Sequence, residues 1–214
     1  MTKFLLIDDH AIVTAGLRLI IEDFIKNCEV DEVSNTDAAF DRIKKTNYDL
    51  IICDITMPNT DSLGFVGNIL SFRPTARVLM FSMNSEEIYA KRYFKIGAMG
   101  FLRKDAPQSE IRKAIENVLA DKKYISPELS EKLLFESDKQ RNKDNPFDNL
   151  SPREFEIVQH MAKGDSLAEI AKKLNLHTST IGTHKSRIFE KLNCHNVIEL
   201  NELAKAHKVI LGSS

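Results

Sequence analysis

The sequence predicts an α/β doubly wound domain on a parallel five-stranded sheet, followed by a small all-α domain. Three observations lead there. Five short apolar runs recur in the first 120 residues, segments of helical spacing separate them, and beyond residue 147 two capping boxes open short helices. The 214 residues suffice for two small domains. The expected division is a sheet domain over residues 1–120, a linker over 121–146 and a helical domain over 147–214.

The apolar runs are Phe4 to Ile7, Val30 to Val33, Leu50 to Cys53, Val78 to Phe81 and Met99 to Leu102. Most are continuous instead of alternating, as expected of strands buried on both faces of a parallel sheet. Between them, Ile12, Leu17, Ile20, Ile21 and Phe24 mark a first helix, and Ala39, Phe40 and Ile43 a second. Phe65, Val66 and Ile69 mark a third, Ile88, Tyr89, Phe94 and Ile96 a fourth, and Ile111, Ile115 and Leu119 a fifth.

In such a sheet, ligands bind outside the carboxyl ends of the strands, so the residues just after each run matter most. They are Asp8 and Asp9, Asp54, Ser82 and Lys104. Clustered carboxylates repel one another unless a cation lies among them. Oxygen ligands in an open, wet site suit Mg2+, which readily shares a phosphoryl oxygen. A lysine and a hydroxyl at the same rim can hold the remaining phosphoryl oxygens. Singly, each residue has a plainer explanation, since an acidic pair after a strand complements the dipole of the next helix. All four positions occurring in order is what points to phosphoryl chemistry.

Residues 121–146 separate the two parts. Tyr124-Ile-Ser-Pro127 leads into a short amphipathic piece around Leu129, Leu133, Leu134 and Phe135. Residues 136–146 are then charged and almost free of apolar side chains, the composition of a flexible tether. In the C-terminal part, Ser151, Pro152 and Glu154 spell a capping box with proline in the first turn, and Gly164 closes that helix. Ser166 and Glu169 open the next, which runs through Ile170, Ala171 and Leu174 before Asn175-Leu176-His177 turns into a third. Helices this short, joined this tightly, cannot enclose a catalytic pocket, but they can hold one helix against a DNA major groove.

Two resemblances follow from these residues. The pattern Ser151-Pro-Arg-Glu154, Glu169-Ile-Ala171 and Thr180-Ile-x-x-His184-x-x-x-Ile188-x-x-Lys191-Leu192 resembles the LuxR-type helix-turn-helix DNA-binding domain. Leu6-Ile-Asp-Asp-His10, Leu50 through Asp54 to Met57-Pro58, Ser82, and Gly97 through Phe101 and Lys104 to Ala106 resemble the receiver domain of response regulators. The whole chain resembles the NarL/FixJ family. That resemblance implies the flavodoxin-like strand order 2-1-3-4-5, with Asp54 as phosphoacceptor. It implies Mg2+ held by Asp9, Asp54 and the Thr56 carbonyl, with Asp8 acting through water. Ser82 and Phe101 would be the switch pair, the aromatic turning inward on phosphorylation. A cognate sensor histidine kinase, a homodimer when phosphorylated and double-stranded DNA are the implied partners.

In the third helix of the C-terminal part, the candidate DNA-facing set is Ser179, Thr180, Gly182, Thr183, Lys185, Ser186, Arg187 and Lys191. Lys185, Arg187 and Lys191 suit phosphates, and the hydroxyls suit bases or sugars. His177 stands where the family usually has a capping serine, Gly182 where it often has lysine, and Asn59 and Ser62 where it has loop glycines. His184 is expected to brace the fold or a phosphate instead of binding metal. Val197, Leu200, Leu203 and Ala204 suit either a dimer contact or packing on their own domain.

A formal net charge of −1 excludes a broadly cationic coat, so DNA affinity must come from a local face and be salt-sensitive. Cys28, Cys53 and Cys194 show no metal-ligand spacing and are expected to be incidental thiols in a reducing cytoplasm. No leader or membrane-length apolar segment is apparent, so a soluble, cytoplasmic chain is expected. Two alternatives stay open. An Mg2+-dependent phosphatase would share the aspartyl-phosphate chemistry, but those enzymes carry a second acid where this chain has Thr56. A constitutive DNA-binding module would have no use for the set Asp9, Asp54 and Lys104.

Overall fold

A computed structural model describes residues 1–57, 60, 62–83, 85–131, 145–174, 176–207 and 209. Pro58, Asn59, Asn175, Leu133 to Phe135 and most of the charged tether lie outside them, as does the side chain of Ile88. The chain divides into two compact units, the first holding the sheet and the second the C-terminal helices.

The first unit alternates strand and helix five times. Strands β1 (Thr2–Ile7), β2 (Cys28–Val33), β3 (Leu50–Cys53), β4 (Val78–Ser82) and β5 (Gly100–Arg103) form one sheet. Its order is β2-β1-β3-β4-β5 and every pairing is parallel. The intervening helices are α1 (Ala11–Phe24), α2 (Thr36–Lys45), α3 (Ser62–Phe72) and α4 (Glu86–Ile96), and α5 (Gln108–Leu119) follows β5. The continuity of the apolar runs now has its cause. Successive residues of β1 alternate between two cores, Leu5 and Ile7 joining residues of α2 and α3, Phe4 and Leu6 joining Leu17, Ile21 and Ile115 of α1 and α5.

One expected core residue is not there. Ile12 is 89 % exposed, and the buried stripe of α1 is Thr14, Leu17 and Ile21. At 3.6 residues per turn, Ile12 lies roughly 160° round the axis from Thr14, on the opposite face. Thr14 earns its burial by donating its hydroxyl to Glu32, 2.6 Å away.

The segment after α5 packs on the sheet unit. Tyr124 pairs with Gly100 of β5 as an isolated parallel bridge, and both Tyr124 and Leu129 are buried. An alanine Cβ at Gly100 would meet the Tyr124 side chain and carbonyl at 3.3 Å and Leu79 at 2.7 Å, so glycine is what admits this close approach.

The second unit holds α6 (Pro152–Ala162), α7 (Leu167–Lys173), α8 (Thr178–Leu192) and α9 (Val197–Ala206), preceded by a single 3-10 turn at Pro146–Asn149. Both capping boxes form. Ser151 accepts from the Glu154 amide at 3.3 Å while Glu154 accepts from the Ser151 amide at 2.7 Å, and Ser166 and Glu169 repeat the pattern. Gly164 ends α6 in the left-handed region at φ +88°. Phe147, Phe155, Ile157, Ile170, Ile181, Ile188 and Leu200 are fully or almost fully buried. Leu200 and Ala204 of α9 are among the covered residues, so this face of α9 packs within its own domain. Among the described residues no helix is long and apolar enough to cross a membrane.

Candidate functional site

Register places the pocket. Ile7 pairs with Cys53 at the ends of β1 and β3, so Asp8 and Asp54 emerge side by side, and the Asp54 amide donates to the Ile7 carbonyl at 2.9 Å. On the other side, Ser82 pairs with Arg103, and the Lys104 amide donates to the Ser82 carbonyl at 3.0 Å. Strand order and register thus bring residues from four separate stretches of chain to one carboxyl edge.

Lys104 reaches across the edge. Its ammonium lies 2.6 Å from Asp8 Oδ2 and 2.9 Å from Asp54 Oδ2. All three side chains are sheltered, at 9 %, 5 % and 2 % exposure respectively. Burial alone would lower the lysine pKa, but its hydrogen bonds to Asp8 and Asp54 and their charges hold it above the ordinary lysine value. Among the described residues, Asp54 Oδ1 is buried without a hydrogen-bond partner, and Asp8 Oδ2 has only the ion pair to Lys104. An unpartnered buried carboxylate oxygen is costly, and a hard cation is the group that satisfies it best.

One carboxylate oxygen each from Asp8, Asp9 and Asp54, with a ring nitrogen of His10, lie within 4.8 Å of one another. His10 is an addition to the expected set. Its amide donates to Asp8 Oδ1 at 2.9 Å, and its Nδ1 lies 3.1 Å from Asp8 and 3.0 Å from Asp9. The signal was present in the sequence as a histidine directly following the two acids. Asp9 is exposed and Asp54 deeply buried, so the cluster opens to water on the Asp9 side. Thr56 lies two residues beyond Asp54 and is exposed.

Ser82 is fully buried at the end of β4. Phe101 is also fully buried, its ring 6.3 Å from that of Tyr93. The aromatic expected to turn inward is therefore inward already. A phenylalanine carries no hydroxyl to be satisfied outside, so nothing offsets the gain from burying it. Tyr93 Oη in turn lies 2.8 Å from Ser62 Oγ at the start of α3, a link that no local pattern in the sequence foretold. Cys53, beside Asp54, is free, and burial pushes its thiol far up, leaving it an inert core residue.

In the second unit, α8 carries the expected DNA-facing residues along one helix. Ser179, Thr183, Ser186 and Arg187 are exposed, while Thr180, Gly182 and Lys185 are half-buried. The Thr183 hydroxyl donates to the Ser179 carbonyl at 3.1 Å and the Ser186 hydroxyl to the Gly182 carbonyl at 3.2 Å. Lys185 lies over the Phe189 ring, 5.3 Å from its centroid. Lys191 is engaged within the fold, its ammonium 2.7 Å from Glu154. Burial would raise the Glu154 carboxyl, but Lys191 and the Ser151 amide and hydroxyl hold it below the usual carboxylate range. The capping box of α6 and the C-terminal end of α8 are thereby tied through one carboxylate.

His184 is half-buried, its Nδ1 without a hydrogen-bond partner among the described residues. Burial lowers its pKa, Glu154 opposes that shift, and Arg153, Arg187 and Lys191 lower it further. That fits a brace. His177, at the start of α8, provides no side-chain cap.

Comparison with known proteins agrees with both halves. Residues 4–116 match the response regulator receiver domain, and residues 148–204 match the bacterial regulatory proteins of the luxR family. The chain is 32 % identical over 217 residues to the response regulator GacA of Pseudomonas aeruginosa, all of both chains being covered. It is 30 % identical over 207 residues to the response regulator UvrY of Escherichia coli strain K12, covering 97 % of this chain and 95 % of that one. A solved complex of the two-component response regulator RcsB with DNA matches at 26 % identity and a TM-score of 0.58. That match covers 96 % of this chain and 98 % of the other. A receiver fold with acids, hydroxyl and lysine at its carboxyl edge, joined to a LuxR-type DNA-binding domain, makes the chain a member of the NarL/FixJ family of two-component response regulators.

Proposed function

We propose that this response regulator accepts a phosphoryl group on Asp54 and that the modification controls its dimerisation and its action on double-stranded DNA. The observation that carries the reading is Lys104, held at 2.6 Å and 2.9 Å between Asp8 and Asp54 while Asp54 Oδ1 has no partner among the described residues. The free oxygen is the nucleophile. It attacks the phosphorus of a phosphodonor, the bond from phosphorus to the leaving group breaks (P–N in a phosphohistidine, P–O in acetyl phosphate), and an acyl phosphate remains on Asp54. Asp9, Asp54 and the Thr56 carbonyl would hold Mg2+, with Asp8 acting through water. Bound there, the ion supplies positive charge to the phosphoryl oxygens. Lys104 is positioned to leave Asp54 for the transferred group, and the Ser82 hydroxyl is the neighbouring donor for another of its oxygens.

In the DNA-binding domain, Lys185 and Arg187 contact phosphates, and Ser179, Thr180, Thr183 and Ser186 face bases or sugars, with Gly182 allowing the backbone close approach. An ammonium has three donors, so Lys191 can serve a phosphate while bound to Glu154. The phosphate source is a cognate sensor histidine kinase, and the setting is cytoplasmic. Intact-mass measurement after incubation with acetyl phosphate tests the acceptor. The wild type should gain one phosphoryl group only with Mg2+ present, and Asp54→Asn should gain none. Equal uptake by both proteins removes Asp54 from the role.

A further inference from the structure

Among the acids at the carboxyl edge lies one donor of a different kind, the imidazole of His10. Lys104 takes Oδ2 of both Asp8 and Asp54, at 2.6 Å and 2.9 Å. That leaves their Oδ1 atoms. Asp8 Oδ1 accepts from the His10 amide at 2.9 Å and lies 3.1 Å from His10 Nδ1. Asp54 Oδ1 has no partner among the described residues, on a side chain only 2 % exposed. His10 Nδ1 also lies 3.0 Å from Asp9 Oδ1.

His10 serves this pocket and not its own helix. It is the N-cap of α1, where a Ser, Thr, Asp or Asn side chain would bond an amide of the first turn, yet its ring makes no capping bond. A ring nitrogen of His10 and one oxygen each from Asp8, Asp9 and Asp54 instead lie within 4.8 Å of one another. Two adjacent donors on one octahedral ion, with bonds of about 2.1 Å, sit about 3.0 Å apart. The distances from His10 Nδ1 to Asp8 and Asp9 match that spacing. A hydrogen bond from the ring to these acids accounts for the two distances as well, but it leaves the buried Asp54 oxygen unpaired. One ion satisfies all four donors, and three carboxylates against one ammonium leave surplus negative charge to hold it.

We propose that His10 is a direct metal ligand in this pocket and makes it prefer a first-row transition-metal ion to Mg2+. The proposal rests on the metal pocket of the proposed function and is independent of Asp54 accepting phosphate. Mg2+ takes oxygen donors and keeps several waters, so an imidazole adds little to its hold. Imidazole suits the transition ions, whose affinity for nitrogen and oxygen sites rises from Mn2+ through Co2+ to Cu2+. Oxygen donors alone also bind Co2+ more tightly than Mn2+. The signature of ligation is therefore the dependence of Co2+ binding on His10.

The test titrates the full chain with Mg2+ and with Co2+ by calorimetry, for the wild type, His10→Ala and Asp9→Asn. The His10 side chain is 63 % exposed, so its loss opens no cavity. His10→Ala should weaken Co2+ binding at least about tenfold, the lower bound for losing even a partner that only orients a ligand, and change Mg2+ binding by less than about twofold. Asp9→Asn should weaken both ions, which locates them in this pocket. Proton NMR of the Co2+-loaded wild type should show strongly shifted imidazole ring signals that are missing from His10→Ala. Equal weakening of both ions by His10→Ala makes His10 an orienting partner of Asp8 and Asp9 and overturns ligation. Unchanged Co2+ binding in either variant overturns it too. In each of these cases Mg2+ binding by the wild type leaves the phosphoacceptor and its ion standing. A wild type that binds neither ion overturns both readings of the pocket.

Discussion

Replacing Gly182 with alanine should make the DNA-binding domain more stable and a poorer binder. Gly182 is the fifth residue of α8, inside the helix, and a Cβ there meets no atom within 4 Å. No packing is disturbed, so the change keeps the helix-propensity difference, about 1 kcal/mol in favour of alanine. For a domain of this size, about 1 kcal/mol raises the unfolding midpoint by roughly 4–8 °C. Thermal unfolding of the full chain, followed at the transition that melts the C-terminal helices, reads this directly. A natural helix that forgoes such a gain where a Cβ would meet nothing has another use for the bare backbone. Close approach to DNA is that use in the proposed reading. Titration with a duplex selected by the wild-type protein should therefore show a loss of about tenfold, equivalent to 1.4 kcal/mol. A stabilised variant with unchanged affinity would refute the placement of Gly182 at the DNA. An unchanged midpoint would refute the energetic argument.

His177→Ser should also stabilise α8, by about 1 kcal/mol, because the helix starts without a side-chain cap; the same thermal transition checks it. Lys185→Ala should weaken binding to all DNA sequences alike and reduce the salt slope by about one unit, measured by titration across salt concentrations. Glu154→Gln should be less stable than wild type at neutral pH. The Glu154 carboxyl is held below its ordinary value of 4.5, so its contribution is present above that pH and fades as pH falls through the lower, folded value. Unfolding curves should therefore converge as the medium is acidified below the ordinary carboxyl value of 4.5. Ser82→Ala should still be phosphorylated, seen by intact mass, yet show a smaller gain in dimer and DNA affinity, seen by sedimentation and titration.

The sheet was legible because its strands are apolar on both faces and end abruptly on chemistry-bearing residues. Ile7 followed by Asp8, Cys53 by Asp54 and Phe81 by Ser82 need no knowledge of register to be noticed. The capping boxes at Ser151 and Ser166 were legible for a similar reason, since donor and acceptor lie three residues apart. What escaped reading joins residues far apart in the chain through single contacts. Glu86 with Ser126, Tyr93 with Ser62 and Lys191 with Glu154 leave no periodic trace. Ile12 misled because an apolar residue near a helix start matches a loose helical pattern, and only the true stripe of Thr14, Leu17 and Ile21 shows it to be on the far side. Phe101 was read from its motif as a ring that turns inward, while its burial against the Tyr93 ring joins residues that no motif includes.

Lys104 has a consequence for how this protein is made as well as how it signals. A pocket lined by acids, with no neutralising group of its own, would repel itself during folding and wait for a metal ion to become stable. Here the chain carries its counter-charge at the end of β5, so the acidic edge can close before any ion arrives. Folding and metal supply are thereby uncoupled: the acidic edge assembles without a divalent cation, which in the proposed reading is called on only for phosphoryl transfer.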